Sequence, residues 1–255
     1  MGLKINQIYN LDCIAGMKLM DAESVDLIVT DPPYGIRYGK NEGLYKRPKE
    51  GILEGYIDVP AALYKTFTDD WAKECYRVLK PSGSMYVVSG WQNFSKIENC
   101  LKDAGFIVKN HVYWHYQFGV NTKRKFVTSC NPILFAVKDN RKYSFYKNCR
   151  FQDDEKLLNG NSALYKDLEN VWYITKERWE KKITTPTKLP YDLVKKIIQY
   201  SSIDGDLILD PFMGSGQTAY VARDLGRNFI GFEKNKSFCD FANLRLRTNQ
   251  YKIPI

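Results

Sequence analysis

From Asp206 to Arg247 the chain alternates two strands with two helices, and that rhythm allows few folds. Asp206-Leu207-Ile208-Leu209-Asp210 is an apolar run bounded by acids and followed by a glycine turn. Thr218 to Leu225 then reads as a helix that stops at Gly226, Asn228 to Glu233 as a second strand, and Ser237 to Arg247 as a last helix. Strands joined through a helix lie parallel, and apolar strands of this kind are covered on both faces. The pattern extends upstream. Val25 to Thr30 is an apolar strand, and Pro60 opens an amphipathic helix to about Leu79, with Leu63, Phe67, Trp71, Cys75 and Val78 on one face. Lys80-Pro81-Ser82-Gly83 ends that helix, and Ser84 to Ser89 is the next strand. A helix near 93–104, strands at 106–116 and 133–137, and a helix over 192–200 complete the regular part. The expected fold is α/β, with a doubly wound, mostly parallel sheet.

Two stretches interrupt the rhythm. Residues 35–59 hold five glycines without periodicity and come directly after a strand tip, so they read as a flap over substrate. Residues 139–183 have weak periodicity and mixed charge and read as an insert rather than core.

No apolar run reaches the roughly 18 residues that span a bilayer. The start, Met1-Gly2-Leu3-Lys4-Ile5, lacks the apolar core of a secretory signal, and Asn6 breaks a myristoylation pattern, so a cytoplasmic protein is expected. Six scattered cysteines without a CxxC pair read as free thiols. His111 and His115 are the only histidines. Their surroundings favour a strand, where positions i and i+4 are too far apart to chelate, so no metal site is expected.

The net charge of +9 is unevenly spread. Residues 109–150 carry nine Lys/Arg, among them Lys123, Arg124, Lys125, Arg141 and Lys142, against one acid, Asp139. Aromatic residues, among them Tyr113, Trp114, Tyr116, Phe118, Phe126, Tyr143, Phe145 and Tyr146, are interleaved with them. Cations neutralise phosphates and rings stack on bases, so the segment suits a nucleic acid; a solvated region with its own aromatic core fits equally well.

Two strand tips carry chemistry. After Asp210, Gly214 and Gly216 let the backbone approach a ligand at a helix N-terminus. With Ala219 the spacing fits G-x-G-x-x-A, and Glu233 ends the next strand, where an acid can bind both hydroxyls of a ribose. This half is read as an adenosine-type cofactor site. A dinucleotide pattern usually opens near the start of a domain, whereas this one lies near the C-terminus. The other tip is Asp31-Pro32-Pro33-Tyr34: a carboxylate, a rigid backbone and a ring, able to hold a flat, amine-bearing ring.

The stretch Asp210-Pro211-Phe212-Met213-Gly214-Ser215-Gly216 resembles the S-adenosylmethionine loop of amino-directed (adenine-N6 or cytosine-N4) DNA methyltransferases, and Asp31-Pro32-Pro33-Tyr34 resembles their catalytic signature. With the catalytic motif first and the cofactor loop last, the order is similar to the circularly permuted beta group. The resemblance covers nearly all of the chain outside 35–59 and 139–183. It implies a seven-stranded Rossmann-like methyltransferase sheet, with a catalytic half over 1–138, a target-recognition insert over 139–183 and a cofactor-binding half over 184–255.

The resemblance also assigns roles. Asp31, Pro32, Pro33 and Tyr34 are catalytic: the Asp31 carboxylate and the Pro32 carbonyl each accept one N–H of the target amine, and Tyr34 stacks on a base flipped out of the duplex. Asp210, Phe212, Gly214, Ser215, Gly216, Gln217 and Glu233 bind cofactor together with Asp31, and Asp12 and Cys13 approach its adenine. Thr185 and Thr187 align with a His-Pro-Thr-x-Lys-Pro segment. Three departures stand out: Thr185 replaces His, the lysine is displaced by one position, and Gln217 stands where Thr is usual. Asp at position 31 leans to adenine, Ser there to cytosine. The implied partner is DNA, duplex or single-stranded; a homodimer and a cognate restriction endonuclease remain open as further partners. Outside this class stand a nicotinamide oxidoreductase, which needs a hydride-accepting site that nothing in the chain suggests, and a nucleic-acid binder without catalysis.

Overall fold

The computed structural model describes residues 2–35, 59–116, 122–177 and 188–248. The N-terminal half contains β1 (Gln7–Tyr9), α1 (Cys13–Met17), β2 (Val25–Thr30), α2 (Tyr64–Val78), β3 (Leu79–Val88), α3 (Phe94–Asp103), β4 (Ile107–His115) and β5 (Cys130–Val137). Next come α4 (Ala163–Leu168), β6 (Val171–Tyr173), α5 (Tyr191–Ser201), β7 (Leu207–Asp210), α6 (Gln217–Asp224), β8 (Asn228–Phe232) and α7 (Lys236–Arg247). They form one sheet in the order β1-β8-β7-β2-β3-β5-β4-β6. Among the described strands only β5 is antiparallel to its neighbours, filling the gap left between β3 and β4.

The sheet has eight strands among the described residues where seven were expected. The extra one is β6, from the segment read as an insert outside the core. It runs parallel to β4 through Tyr113–Val171, Trp114–Trp172 and His115–Tyr173. Three residues are too few for alternation to show in sequence, and Trp172 is held by burial against the main core.

A second difference lies at Lys80-Pro81-Ser82-Gly83. These turn-forming residues belong to β3, which starts directly after α2. The register shifts between Val25 and Leu27, and Gly83 is the residue that fits there. A Cβ on it would lie 2.6 Å from a Leu79 methyl and 2.9 Å from the Asp26 carbonyl. The irregularity is a bulge rather than a chain break.

Both faces of the sheet are covered. Leu27 and Val29 of β2 point toward α5, packing in one cluster with Leu193, Val194, Ile197 and Ile198. Ile28 points the other way, into a cluster with Trp71, Cys75 and Val78 of α2 and Ile97 and Leu101 of α3. Strands buried on both sides read as continuous apolar runs, the pattern visible at 25–30. Each such side chain stabilises the fold by about 1.5–3 kcal/mol. The face expected for α2 is shifted at its start: Leu63 is exposed and Tyr64 is buried in its place, because the helix begins at Tyr64. Among the described residues, no helix is long and apolar enough to cross a membrane.

Candidate active site

The chain leaves β7 through α6 to β8 on one side and leaves β2 through α2 to β3 on the other. The strand order therefore reverses between β7 and β2, which pair directly at Leu27–Ile208 and Ile28–Leu209. Such a reversal opens a crevice beyond the carboxyl ends of the strands. Both chemical motifs open into it, one from each strand. They are also tied to each other: the Thr30 hydroxyl donates to Asp210 Oδ1 at 2.9 Å.

At the β2 tip, Asp31 Oδ1 is sealed from solvent and has no hydrogen-bond partner among the described residues. Burial pushes this carboxyl up to about 7, against a hydrogen bond from the Tyr34 side chain and with a further push from the charge on Asp210. A buried oxygen with unused lone pairs is costly unless a ligand donor completes it. Pro32 is buried, and Pro33 and Tyr34 are partly so. Their backbone is held by two residues that the sequence did not single out: Tyr64, whose hydroxyl donates to the Pro33 carbonyl at 3.0 Å, and Asn93, whose amide donates to the Tyr34 carbonyl at 2.5 Å.

At the β7 tip, Asp210 is buried with both oxygens engaged. Oδ1 accepts from Thr30 and from the Phe212 N–H at 3.0 Å, and Oδ2 accepts from the Thr218 hydroxyl at 2.7 Å. Burial raises its carboxyl to about 6. Asp210 thus builds the loop, and Phe212 does the same by packing at ring distances of 5.8 Å on Phe67 and 5.9 Å on Trp71. Gly214 has φ +52°, and a Cβ there would meet only the Phe212 carbonyl, at 3.9 Å, so its outer face is open to a ligand. Gly216, at φ +78°, packs so tightly on α7 that a Cβ would come within 2.8 Å of the Ala242 methyl. Glu233 Oε2 accepts the Gly214 N–H at 2.9 Å and Oε1 accepts the Asn235 N–H at 2.7 Å, fixing the carboxylate beside the glycine loop. Each oxygen keeps a lone pair for a further donor.

Gln217 has another use. Its side-chain oxygen accepts from the fully buried Arg245 at 2.6 Å, and the same guanidinium donates to the Ser215 carbonyl at 3.0 Å. Burial lowers Arg245 to about 10. The departure from Thr at 217 therefore serves a buried cation that braces the cofactor loop from α7, and Thr218 supplies the hydroxyl on Asp210. Gln217→Leu removes one of these acceptors from Arg245. It is expected to lower stability by about 2 kcal/mol, read as a drop in the denaturation midpoint at unchanged slope.

Asp12 and Cys13 reach the same end of the sheet, because Asn10 donates to the Glu233 carbonyl at 2.8 Å and β1 pairs with β8. Asp12 caps α1, accepting from the Ile14 N–H at 3.0 Å, and lies 3.7 Å from Lys234. Cys13 is buried and packs into the core; burial pushes its thiol up to about 12. Thr185, Thr187 and residues 36–58 of the expected flap lie outside the described residues.

The basic set is split. Lys123, Arg124 and Lys125 are exposed between the end of β4 and the start of β5, at the end of the sheet where Asp31 lies. Arg141 and Lys142 come after β5 at the opposite end, where Lys138 bonds the Leu79 carbonyl at 2.8 Å at the start of β3. The structure does not bring the two groups together. Part of the charge surplus is also used internally, in the pairs Lys138–Glu23, Lys142–Asp139, Lys147–Asp153 and Arg150–Asp167. Both histidines are on β4, with His111 3.2 Å from Glu98.

An acid–proline–proline–tyrosine tip on one strand and a glycine loop with its acid on the next meet at the switch point, where α/β enzymes of this class bind nucleotide cofactors. The chain belongs to the DNA methylase family of N6/N4 methyltransferases, whose model matches residues 25–244. It is 34% identical over 267 residues to the DNA adenine methyltransferase YhdJ of Escherichia coli, covering 96% of this chain and 84% of that protein. It is 33% identical over 259 residues to the type II methyltransferase M.HinfI of Haemophilus influenzae, covering 95% and 68%. Among solved structures it resembles the M1.HpyAVI–SAM complex, with a TM-score of 0.63 at 25% identity over 94% of this chain and 98% of that one. The cytosine-N4-specific PvuII DNA methyltransferase, at TM-score 0.72 and 18% identity over 96% and 87%, shares the fold.

Proposed function

We propose that this protein transfers a methyl group from S-adenosylmethionine to the exocyclic N6 of adenine at a specific DNA site, as the modifying half of a restriction–modification pair. The observation that carries the reading is the buried Asp31 Oδ1, which has no partner among the described residues, at a switch-point crevice, next in the chain to Thr30, whose hydroxyl bonds the loop that would hold the cofactor. Gly214 offers the cofactor an open backbone approach, Glu233 a carboxylate for its ribose hydroxyls, and Asp12 and Cys13 the neighbouring wall. When bound, S-adenosylmethionine supplies an electrophilic methyl on a sulfonium.

The chain's own groups do the rest. An exocyclic amine is a poor nucleophile because its lone pair is delocalised into the ring. The Asp31 carboxylate and the Pro32 carbonyl each accept one N–H, so the lone pair points away from both. Tyr34 supplies a ring against which a flipped base stacks, offsetting an extrusion cost of a few kcal/mol. The charge on Asp31 stabilises the ammonium that develops at N6. Trp91 is 62% exposed, one residue from Gly90, against which the Tyr34 ring rests, and adds an aromatic at the rim of the site. Incubation of duplex DNA with labelled S-adenosylmethionine, followed by digestion to nucleosides, tests the reading: N6-methyladenine is the expected product. N4-methylcytosine would overturn the base assignment, and no labelled base at all the function.

Lys123, Arg124 and Lys125 lie at the catalytic end and are proposed to contact DNA phosphates. Replacing all three with alanine is expected to weaken DNA binding and to reduce the dependence of log K on log salt by up to about 2.7. Replacing Arg141 and Lys142, at the far end, is expected to change neither by a comparable amount. Equal losses from both variants in a salt-dependent binding titration would remove the distinction.

A further inference from the structure

Beyond the groups that meet substrate, two side chains from the α2–α3 side of the sheet take hold of the catalytic turn. Tyr64 and Asn93 bind the carbonyls of two consecutive residues, Pro33 and Tyr34. Both are buried, Tyr64 at 1% exposure and Asn93 at 8%. Asn93 precedes α3 as its N-cap, the position where asparagine ordinarily accepts from the helix N–H groups, yet its side chain makes no capping bond and serves Tyr34 instead. Gly35, at φ +65°, is wedged against the same pair: a Cβ there would lie 2.4 Å from the Tyr64 ring and 3.0 Å from the Asn93 amide nitrogen. On the other side, a Cβ on Gly90 would lie 3.2 Å from the Tyr34 ring.

These contacts act on the torsions that the prolines leave soft. A planar peptide has two, φ and ψ. The pyrrolidine ring fixes φ of Pro33 but not ψ. The direction of a carbonyl sets ψ, so a hydrogen bond on the Pro33 oxygen removes the last freedom at that residue, and the Asn93 bond does the same for ψ at Tyr34. We infer that Tyr64 and Asn93 are positioning residues for methyl transfer: they hold the turn so that the Tyr34 ring and the amine acceptors just before it stay at the reacting geometry. The inference rests on the methyltransferase reading above. Neither side chain touches the substrate; each acts through the backbone it holds.

Tyr64→Phe removes one hydroxyl while keeping the ring in the core, and Asn93→Leu keeps volume while removing the donor. Each is expected to lower kcat about 10- to 100-fold, the penalty for sub-ångström misplacement of reacting groups. Affinity for S-adenosylmethionine, measured by calorimetric titration, is expected to stay within about twofold, because the cofactor loop is braced separately by Arg245. In the duplex complex, 2-aminopurine at the target position is expected to fluoresce more strongly than with the unaltered protein, as the flipped base loses its seat on Tyr34. The inference is overturned if the Tyr64→Phe protein keeps kcat and 2-aminopurine signal, or if kcat, cofactor affinity and thermal midpoint fall together, which marks general loosening. An unaltered protein that methylates no DNA sinks the parent reading instead, so the two failures are distinct.

Discussion

Asp31→Asn is expected to give a folded protein that binds S-adenosylmethionine and transfers essentially no methyl group, a loss of at least about 10³-fold in single-turnover rate. Asparagine matches the shape of the carboxylate and keeps an acceptor oxygen, but it carries no charge to stabilise the developing ammonium. The same substitution is expected to stabilise the fold above neutral pH. Burial raises the Asp31 carboxyl to about 7 in the native state, whereas an exposed aspartate titrates near 4. Below about pH 4 both states are protonated and the site costs nothing. Between there and about 7 the native state retains a proton that the unfolded state has lost, so stability declines as pH rises, and above 7 the full cost of a buried charge remains. Asp31→Asn escapes that cost and is expected to gain up to about 4 kcal/mol at pH 8, or up to about 8–16 °C in thermal midpoint. The unaltered protein's transfer rate should climb with pH through about 7 and level off above it, because only the ionised carboxylate carries the charge that stabilises the developing ammonium. Measurable turnover in Asp31→Asn, or a rate that falls between pH 6 and 8, would remove Asp31 from its role.

Asp167→Ala is expected to cost about 3 kcal/mol and lower the thermal midpoint by about 6–12 °C. Asp167 Oδ2 lies 2.8 Å from Arg150 Nε and 2.6 Å from the Tyr200 hydroxyl, and Oδ1 lies 3.1 Å from Lys196 Nζ. Lys196 is itself nearly sealed from solvent and lies 4.8 Å from the Trp172 ring centre. This network fastens α4 and β6 to α5. Removing its acid leaves the Lys196 ammonium in the core without its counter-charge, though still donating to the residue 167 carbonyl, which is why one substitution has so large an effect. Asp167→Leu combined with Lys196→Met removes both charges and is expected to recover most of the loss. Burial pushes the Asp167 carboxyl up, but the Tyr200 hydroxyl, Lys196 and Arg150 outweigh it and hold it below its ordinary value. The stabilisation is therefore present above about pH 4 and is lost as pH falls through the lowered native value. A midpoint within about 2 °C of the unaltered protein at pH 7 would show that the network carries no net stability.

Legibility tracked the range of the interaction. Asp31 and Glu233 were readable because each ends an apolar run, and an acid that ends a parallel strand lies at the carboxyl end of the sheet. Gly216 was readable because its turn needs a left-handed residue. Asp210 and Gln217 were readable as members of the loop but not in their tasks: Asp210 spends its oxygens on Thr30 and Thr218, and Gln217 spends its own on Arg245. The charge surplus over 109–150 was real as a count. Yet β5 runs against its neighbours, so the basic residues before it and those after it lie at opposite ends of the sheet.

By itself the sequence determined the class of fold and the two chemical tips, since apolar periodicity, proline, glycine and strand-terminal acids act over a few residues. Only the tertiary structure decided that β2 and β7 are neighbours, that a three-residue strand extends the sheet, and that Tyr64, Asn93 and Arg245 brace the two loops. Those pairings join residues tens to hundreds of positions apart. Nothing in the local chain records them, because they are set by the crossovers that order the strands and by which side chains the packing then leaves beneath the crevice.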